Sequence, residues 1–343
     1  MTNHSDKRFP KEMFQPAHYD SSLAEKIEKP SLNFWQDAYL RVKKNKAAIV
    51  SFVILLLLIF MAFVGPFMSG YDGDVQRAEH SNLPPRIAAL ENVDWLPFDG
   101  TLVNRNGVTL TPYVDKQVEE YYWFGTDKYG RDLFTRLWEG VQISLLIAFL
   151  ATVIDMIIGV SYGAISGYFG GRVDNVMQRL VEILTGIPNL VIVILLIIIL
   201  EPGILSITLA LAITGWTTMA RVVRGQVLKL KNQEFALASK TLGSTDMRII
   251  FKHLLPNMVG VIIINTMFTI PSAIFFEAFL SFIGLGLQPP DASLGTLIEN
   301  GFKVMLLYPY QLIVPSVVIS LLMITFNLLA DGLRDALDPK MRD

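Results

Sequence analysis

The sequence predicts an all-α integral membrane protein with six transmembrane helices and a small extracytoplasmic insertion after the first. Three observations carry that prediction. Apolar residues make up 52% of the 343 residues and charged residues 17%, with a mean hydropathy of +0.44, whereas soluble domains carry about 25% charged residues. The apolar residues gather into runs at about 47–68, 141–162, 181–201, 204–220, 257–282 and 312–331. A helix needs about 20 such residues to cross roughly 30 Å of hydrocarbon; the fourth run is the shortest. Finally, charge is segregated. Arg41, Lys43, Lys44 and Lys46 precede the first run, and Arg221, Arg224, Lys229, Lys231, Lys240, Arg248 and Lys252 follow the fourth, while residues 69–140 are acidic on balance. The positive-inside rule then places both termini and the 221–256 loop in the cytoplasm and 69–140 outside.

Taken in order, residues 1–46 read as a cytoplasmic tail. Its first 30 residues are polar and contain Pro10, Pro16 and Pro30, a composition expected to be poorly ordered. Residues 31–46 suit a short surface helix, with Phe34, Trp35, Tyr39 and Leu40 on its apolar side, or else a plain basic flank that sets topology. The start of the chain lacks a signal peptide's apolar core, so the first span, 47–68, is expected to be a retained anchor.

The segment 69–140 is too long for a simple connection. Asp99-Gly100 and Asn106-Gly107 are turn signals, and the second sits between Leu102-Val103 and Val108-Thr109-Leu110, predicting a small β-hairpin. The core of five spans is expected over 141–331, with a cytoplasmic tail at 332–343.

Within that core, Asp155 falls mid-span, where a charge costs about 2.5–3.5 kcal/mol on insertion scales, so it either faces the protein interior or is protonated. It serves either a neighbouring helix or a pathway. A turn is expected at 166–171. The fifth span carries Asn265, Thr266, Thr269, Ser272 and Glu277 at helical spacing, a polar side that either joins helices or lines a pathway.

Between the fourth and fifth spans, 232–256 reads as two helices with punctuation. Asn232 is the expected N-cap and Glu234 suits the first turn of the helix dipole. Phe235, Leu237, Ala238 and Leu242 form the apolar face. Gly243 ends the helix, Ser244 caps the next, and Leu255-Pro256 marks the stop where the fifth span begins, with Pro256 as its N1 proline or an entry kink. A helix of about ten residues is unstable alone in water. Its apolar face therefore packs either on the protein's own helix ends or in a groove on a partner.

Catalytic signatures are absent from the sequence. There is no cysteine, no phosphate-binding G-x-x-x-x-G-K-[ST], no H-E-x-x-H and no G-x-S-x-G, and His4, His18, His80 and His253 have no metal-ligand spacing. No enzyme activity, cofactor or metal is expected, nor a nucleic acid partner; membrane lipid is.

Several motifs resemble those of permeases of ATP-binding-cassette (ABC) importers. The stretch EFALASKTLGSTDMRIIFKHLLP is similar to their E-A-A-x-x-x-G, nine residues, I-x-L-P loop. Aligned on Gly243, the triplet falls on Leu237, Ala238 and Ser239, and Leu255 and Pro256 close the pattern. GTDKYGRDLFTRLWEG at 125–140, FLSFIGLGLQPP at 279–290 and DGLRDALDPKMR at 331–342 resemble signatures of the peptide/nickel branch, and the long outer insertion looks most like the oligopeptide C-type subunit. Asp127, Arg131 and Asp132 in the first motif, Gly284 and Gly286 in the second, and Asp331, Arg334, Asp335 and Asp338 in the third read as fold-fixing residues.

The resemblance implies a type I ABC importer permease fold in a bacterial plasma membrane. It implies a homologous second permease, two cytoplasmic ATPases gripping the 234–256 loop, and an extracytoplasmic binding protein that delivers oligopeptides. The residues expected to carry coupling are Glu234, Phe235, Leu237, Ala238, Gly243, Leu255 and Pro256; Asp155, Asn265, Thr269 and Glu277 are the pathway or interhelical candidates. The alternatives are a dipeptide or nickel permease of the same family, an ion-coupled secondary transporter using Asp155 or Glu277, and a membrane sensor with 69–140 as its ligand module.

Overall fold

A computed structural model describes residues 33–93, 96–103 and 107–337. The polar tail 1–30, the side chain of Phe34, Asn106 of the Asn-Gly turn and the DPKMR end from Asp338 lie outside the described residues.

The long elements are helical. Helix α1 (Phe34–Lys44) lies against the end of the last helix, with Ala38 buried and Trp35, Tyr39 and Leu40 on the outside. Asn45 then caps α2 (Lys46–Met68) by accepting from the Ala48 N–H at 3.1 Å, the N-cap role short polar side chains fill. Helix α3 (Leu133–Phe169) is 37 residues long and begins ahead of its apolar run, because Asp132 caps it through the Thr135 N–H at 3.0 Å. At about 1.5 Å per residue it is longer than a bilayer is thick. The turn expected at 166–171 narrows to Gly170 and Gly171, both at positive φ, since Ser166–Phe169 stay helical.

The third span departs from expectation. Residues 181–201 are not one helix: α4 (Gly171–Gly186) and α5 (Asn189–Leu200) meet at 80°. The break is at Ile187-Pro188, where the proline ring pushes the preceding residue into the extended region, φ −89° and ψ 126°. Helix α6 (Ile204–Leu230) runs well past the predicted end at 220 because its continuation packs on α3.

That packing has a specific cause. Gly159, Gly163 and Gly167 stand four apart on α3, and a Cβ on any of them would press into α6, at Met219, Ala220 or Val227. Small residues at this spacing let two membrane helices approach backbone to backbone.

After the short helix α7 (Glu234–Thr241), helix α8 runs from Asp246 to Leu285. Leu255-Pro256 does not stop the helix, and Pro256 takes the N-terminal place expected of it where the fifth span begins. Pro256 sits in the first turn of the regular stretch Leu255–Leu280, and the preceding Ile249–Leu254 is wound as a wide π-type turn with the Leu255 N–H reaching Ile250 O. An N-terminal proline has no N–H to leave unpaired there, so the helix passes through it. Short α9 (Leu294–Val304) and α10 (Tyr310–Leu337) complete the bundle. Its main core joins α2, α3, α8, α9 and α10, through residues such as Leu58, Trp138, Ile274, Leu297 and Phe326.

The segment between α2 and α3 forms a module around Leu83, Tyr113, Val118 and Tyr122. It includes the predicted hairpin: β1 (Leu102–Val103) pairs antiparallel with β2 (Thr109–Leu110), Leu102 opposite Leu110. Burial pushes the Tyr122 hydroxyl up to about 12, so it stays neutral and bonds His80 Nδ1 at 2.6 Å. The module is fixed to the bundle by Gln311, which donates to Asn82 Oδ1 (3.0 Å), and by the Asp127–Arg131 ion pair at 2.7 Å, which shapes the turn into α3.

Candidate functional site

Helix α7 lies at the end of the bundle opposite the hairpin module. Gln233, not Asn232, is its N-cap, and Gly243 ends it at φ +81°, the left-handed region that glycine enters freely. The next helix is capped by Thr245 rather than Ser244.

The face that packs inward is the small one. Ala236 and Ser239, three apart, are buried, and Ala236 joins Val223, Val227, Ile249, Ile250 and Leu254 in a compact cluster. The large apolar side chains, for which self-packing and a partner's groove were the alternatives, do not pack on this chain: Phe235 is 39%, Leu237 50% and Leu242 86% exposed. Glu234 and Ala238 are also exposed. Five of the seven predicted coupling residues therefore gather on α7 and its terminal turn. Leu255 and Pro256 do not: they lie nine and ten residues into α8, about 14 Å along its axis.

A polar network joins the ends of the helices around α7. Asp174, in the first turn of α4, receives Arg224 Nε and Nη2 of α6, both at 2.6 Å, and Ser166 Oγ of α3 at 2.5 Å. This two-pronged pairing is the geometry a guanidinium offers a carboxylate. Lys231 Nζ donates to Gly167 O (2.8 Å), and Tyr168 donates to Asp246 Oδ1 (2.7 Å) at the start of α8. The sequence reading singled out none of these roles, although the basic cluster contained Arg224 and Lys231.

The second candidate region is a cavity of about 310 Å³ between α3, α6 and α8, lined by Asp155, Thr214, Thr218, Asn265, Thr269 and Ser272 among others. Asp155 faces the interior, 5% exposed, with Oδ1 enclosed and without a hydrogen-bond partner. Gly215 makes the space for it, because a Cβ there would strike the carboxylate. The structure thus brings Asp155, Asn265 and Thr269 together.

Glu277 is not with them. It is fully buried two turns along α8, accepting from Ser144 Oγ and Ser281 Oγ, both at 2.9 Å, and so ties α8 to α3. The rest of the polar stripe is not interhelical. Asn265, Thr266, Thr269 and Ser272 each donate to the carbonyl four residues earlier on their own helix, at 2.8–3.0 Å.

Among the described residues no group of His, Asp or Glu side chains is arranged to hold a metal. Residues 159–343 match the family described as binding-protein-dependent transport system inner membrane component. Residues 33–85 match the N-terminal transmembrane domain of oligopeptide transport permease C. The chain is 44% identical to the oligopeptide transport system permease protein OppC of Bacillus subtilis, over 98% of this chain and 99% of that protein. It is 45% identical to the dipeptide transport system permease protein DppC of the same organism, covering 97% and 94%. Against DppC of Lactococcus lactis the identity is 46%, covering 93% and 94%. The fold is similar to a chain of the MetNI methionine ABC transporter in an inward-facing conformation, with a TM-score of 0.50 and 19% identity over 59% of this chain and 96% of that one.

Proposed function

This chain belongs to the permease family of peptide-importing ABC transporters, and we propose that it couples oligopeptide import to cytoplasmic ATPases through α7. It is a multi-pass membrane protein and a transporter component rather than an enzyme. The observation that carries the coupling proposal is the inverted burial of α7. The small residues Ala236 and Ser239 hold the helix to the bundle, and Phe235, Leu237, Ala238 and Leu242 are left outside as an apolar surface. An amphipathic helix presented this way fits recognition in a partner's groove.

On this reading the basic flanks put α7 and both termini in the cytoplasm of a bacterium, at its plasma membrane, with the hairpin module outside. One ATPase receives α7 and a second grips the equivalent helix of a homologous permease that completes the pathway. A peptide-binding protein docks on the outer side. Closure of the ATPases moves α7, and the network of Asp174, Arg224, Lys231 and Tyr168 passes that movement to α3, α4, α6 and α8.

The test is association. Ala238→Asp puts a charge on the exposed face without touching the buried one. ATPase retained in a pull-down on the purified permease pair should fall sharply; unchanged retention means the face packs elsewhere. The relatives named for dipeptides are as similar as the one named for oligopeptides, so a dipeptide substrate is the second reading. Competition among di-, tri- and longer peptides for uptake separates the two.

A further inference from the structure

The cavity between α3, α6 and α8 is one-sided in charge. Asn265 donates one Nδ2 hydrogen to Val261 O at 2.9 Å, which leaves its amide oxygen and its second N–H free. Thr269 and Ser272 commit their hydroxyl hydrogens to Asn265 O and Phe268 O at 3.0 and 2.9 Å, leaving lone pairs. Asp155 adds a carboxylate whose enclosed oxygen has no partner, and the cavity lining contains no Lys, Arg or His. The wall therefore carries one carboxylate, with no cation beside it, among neutral amides and hydroxyls. An ammonium group is the complement, with three donors, no acceptor and a positive charge. A carboxylate or phosphate would be repelled. A buried carboxylate left alone is costly, and a cation entering beside it relieves that cost. The volume, about 310 Å³, lies at the lower end of ligand sites, which run from about 300 to 1,000 Å³.

We propose that this cavity is a membrane-embedded subsite that receives the N-terminal α-ammonium of the transported peptide, with Asp155 as its counter-charge. The proposal rests on the peptide-import reading. It makes Asp155 a specificity-determining residue within the permease, separate from any selection by a binding protein.

The experiment uses the full reconstituted transporter with peptide-loaded binding protein at saturation. Uptake is measured for an alanine tripeptide, for its des-amino analogue, and for an N-acetylated tripeptide containing lysine. In wild type the free amine is favoured. Asp155→Asn should lower uptake of the free-amine peptide roughly 10- to 100-fold, the scale of a lost charge-assisted hydrogen bond, and leave the des-amino peptide near its original rate. Asp155→Glu keeps the charge and should retain the preference. An equal fall for all three peptides in Asp155→Asn overturns the proposal, because a structural role lowers every substrate alike. A fall confined to the lysine peptide overturns the amino-terminus assignment. If Asp155→Asn does not assemble, Asp155→Ser takes its place as the charge-removing variant: loss of the preference for the free-amine over the des-amino peptide supports the subsite, and an unchanged ratio overturns it. Failure of wild type to take up any peptide would defeat the import reading itself and is seen before any variant is compared.

Discussion

Leu242 gives the most direct test of whether α7 is a docking element. It is 86% exposed, and it follows the last helical residue, Thr241, so its side chain contributes little to the permease's own core. Burial in a partner would remove most of that apolar surface from water. Complete burial of a leucine is worth about 1.5–3 kcal/mol, and Leu242→Ala removes three carbons at about 0.8 kcal/mol each. The loss on docking is then about 2 kcal/mol, or roughly a 30-fold weaker ATPase affinity. The assay is a titration of labelled ATPase onto the purified permease pair, run beside thermal unfolding of the permease alone. Affinity should fall by that factor while the unfolding temperature stays within a degree or so. An unchanged affinity would refute the docking surface. A marked drop in unfolding temperature would refute the exposed placement of Leu242 instead, since only a residue packed at home can destabilise its own chain.

The remaining predictions concern two glycines. Gly243→Val forces a β-branched residue into φ +81°, where even unbranched side chains cost about 1–2 kcal/mol, although no neighbour would crowd its Cβ. The turn after α7 should shift, uptake should fall more than ATP hydrolysis, and membrane insertion should persist; normal peptide uptake would remove the turn from the coupling path. Gly163→Leu drives a side chain into Ala220 and Val223 of α6 and should cost at least the ~1–3 kcal/mol typical of overpacking. Its control is Gly225→Leu on α6, where nothing lies within 4 Å of a new Cβ. Thermal unfolding in detergent should drop for the first and barely move for the second.

What could be read in advance follows from how local each feature is. The apolar runs, the hairpin around Gly107 and the left-handed Gly243 are decided by residues within a few positions of each other, and the structure has all of them. The apolar face of α7 was legible as a set of residues, but not whether it packs on this chain or on a partner, because that depends on which residues of other helices meet it; Ala236 and Ser239 are the ones that turn inward. The polar stripe of α8 stayed open between joining helices and lining a pathway because spacing fixes which residues share a side and not where their hydroxyl hydrogens go. The Ile187-Pro188 break was legible in the proline itself but was masked by the apolar run around it. The ridge of Gly159, Gly163 and Gly167 was equally visible as a four-residue repeat, and its meaning depended on which helix it would meet.

The same ridge constrains how force on α7 reaches the cavity. Asp155 and the three glycines share α3, and Asp155 stands against Gly215 of α6 as closely as Gly163 stands against Ala220. With backbones this near, sliding α3 along α6 would drive side chains into each other, since close-packed interfaces transmit displacement rather than absorb it. The Lys231 bonds to the end of α3, and the meeting of Ser166 of α3 and Arg224 of α6 on Asp174, close the same two helices together at the α7 end. Helices α3 and α6 thus form one body that carries Asp155. Helix α8 is tied to that body at two separated points, Tyr168 with Asp246 at one end and Ser144 with Glu277 towards the other, and its cavity-lining stretch between them bonds only to its own backbone. The cavity should therefore widen or narrow by bending of α8 between those two ties, across Asn265, Thr269 and Pro271, rather than by separation of α3 from α6. Distance measurements between spin labels should show the α3–α6 separation constant through the ATP cycle and the α3–α8 separation changing near Asn265; the opposite pattern would break this account of the coupling.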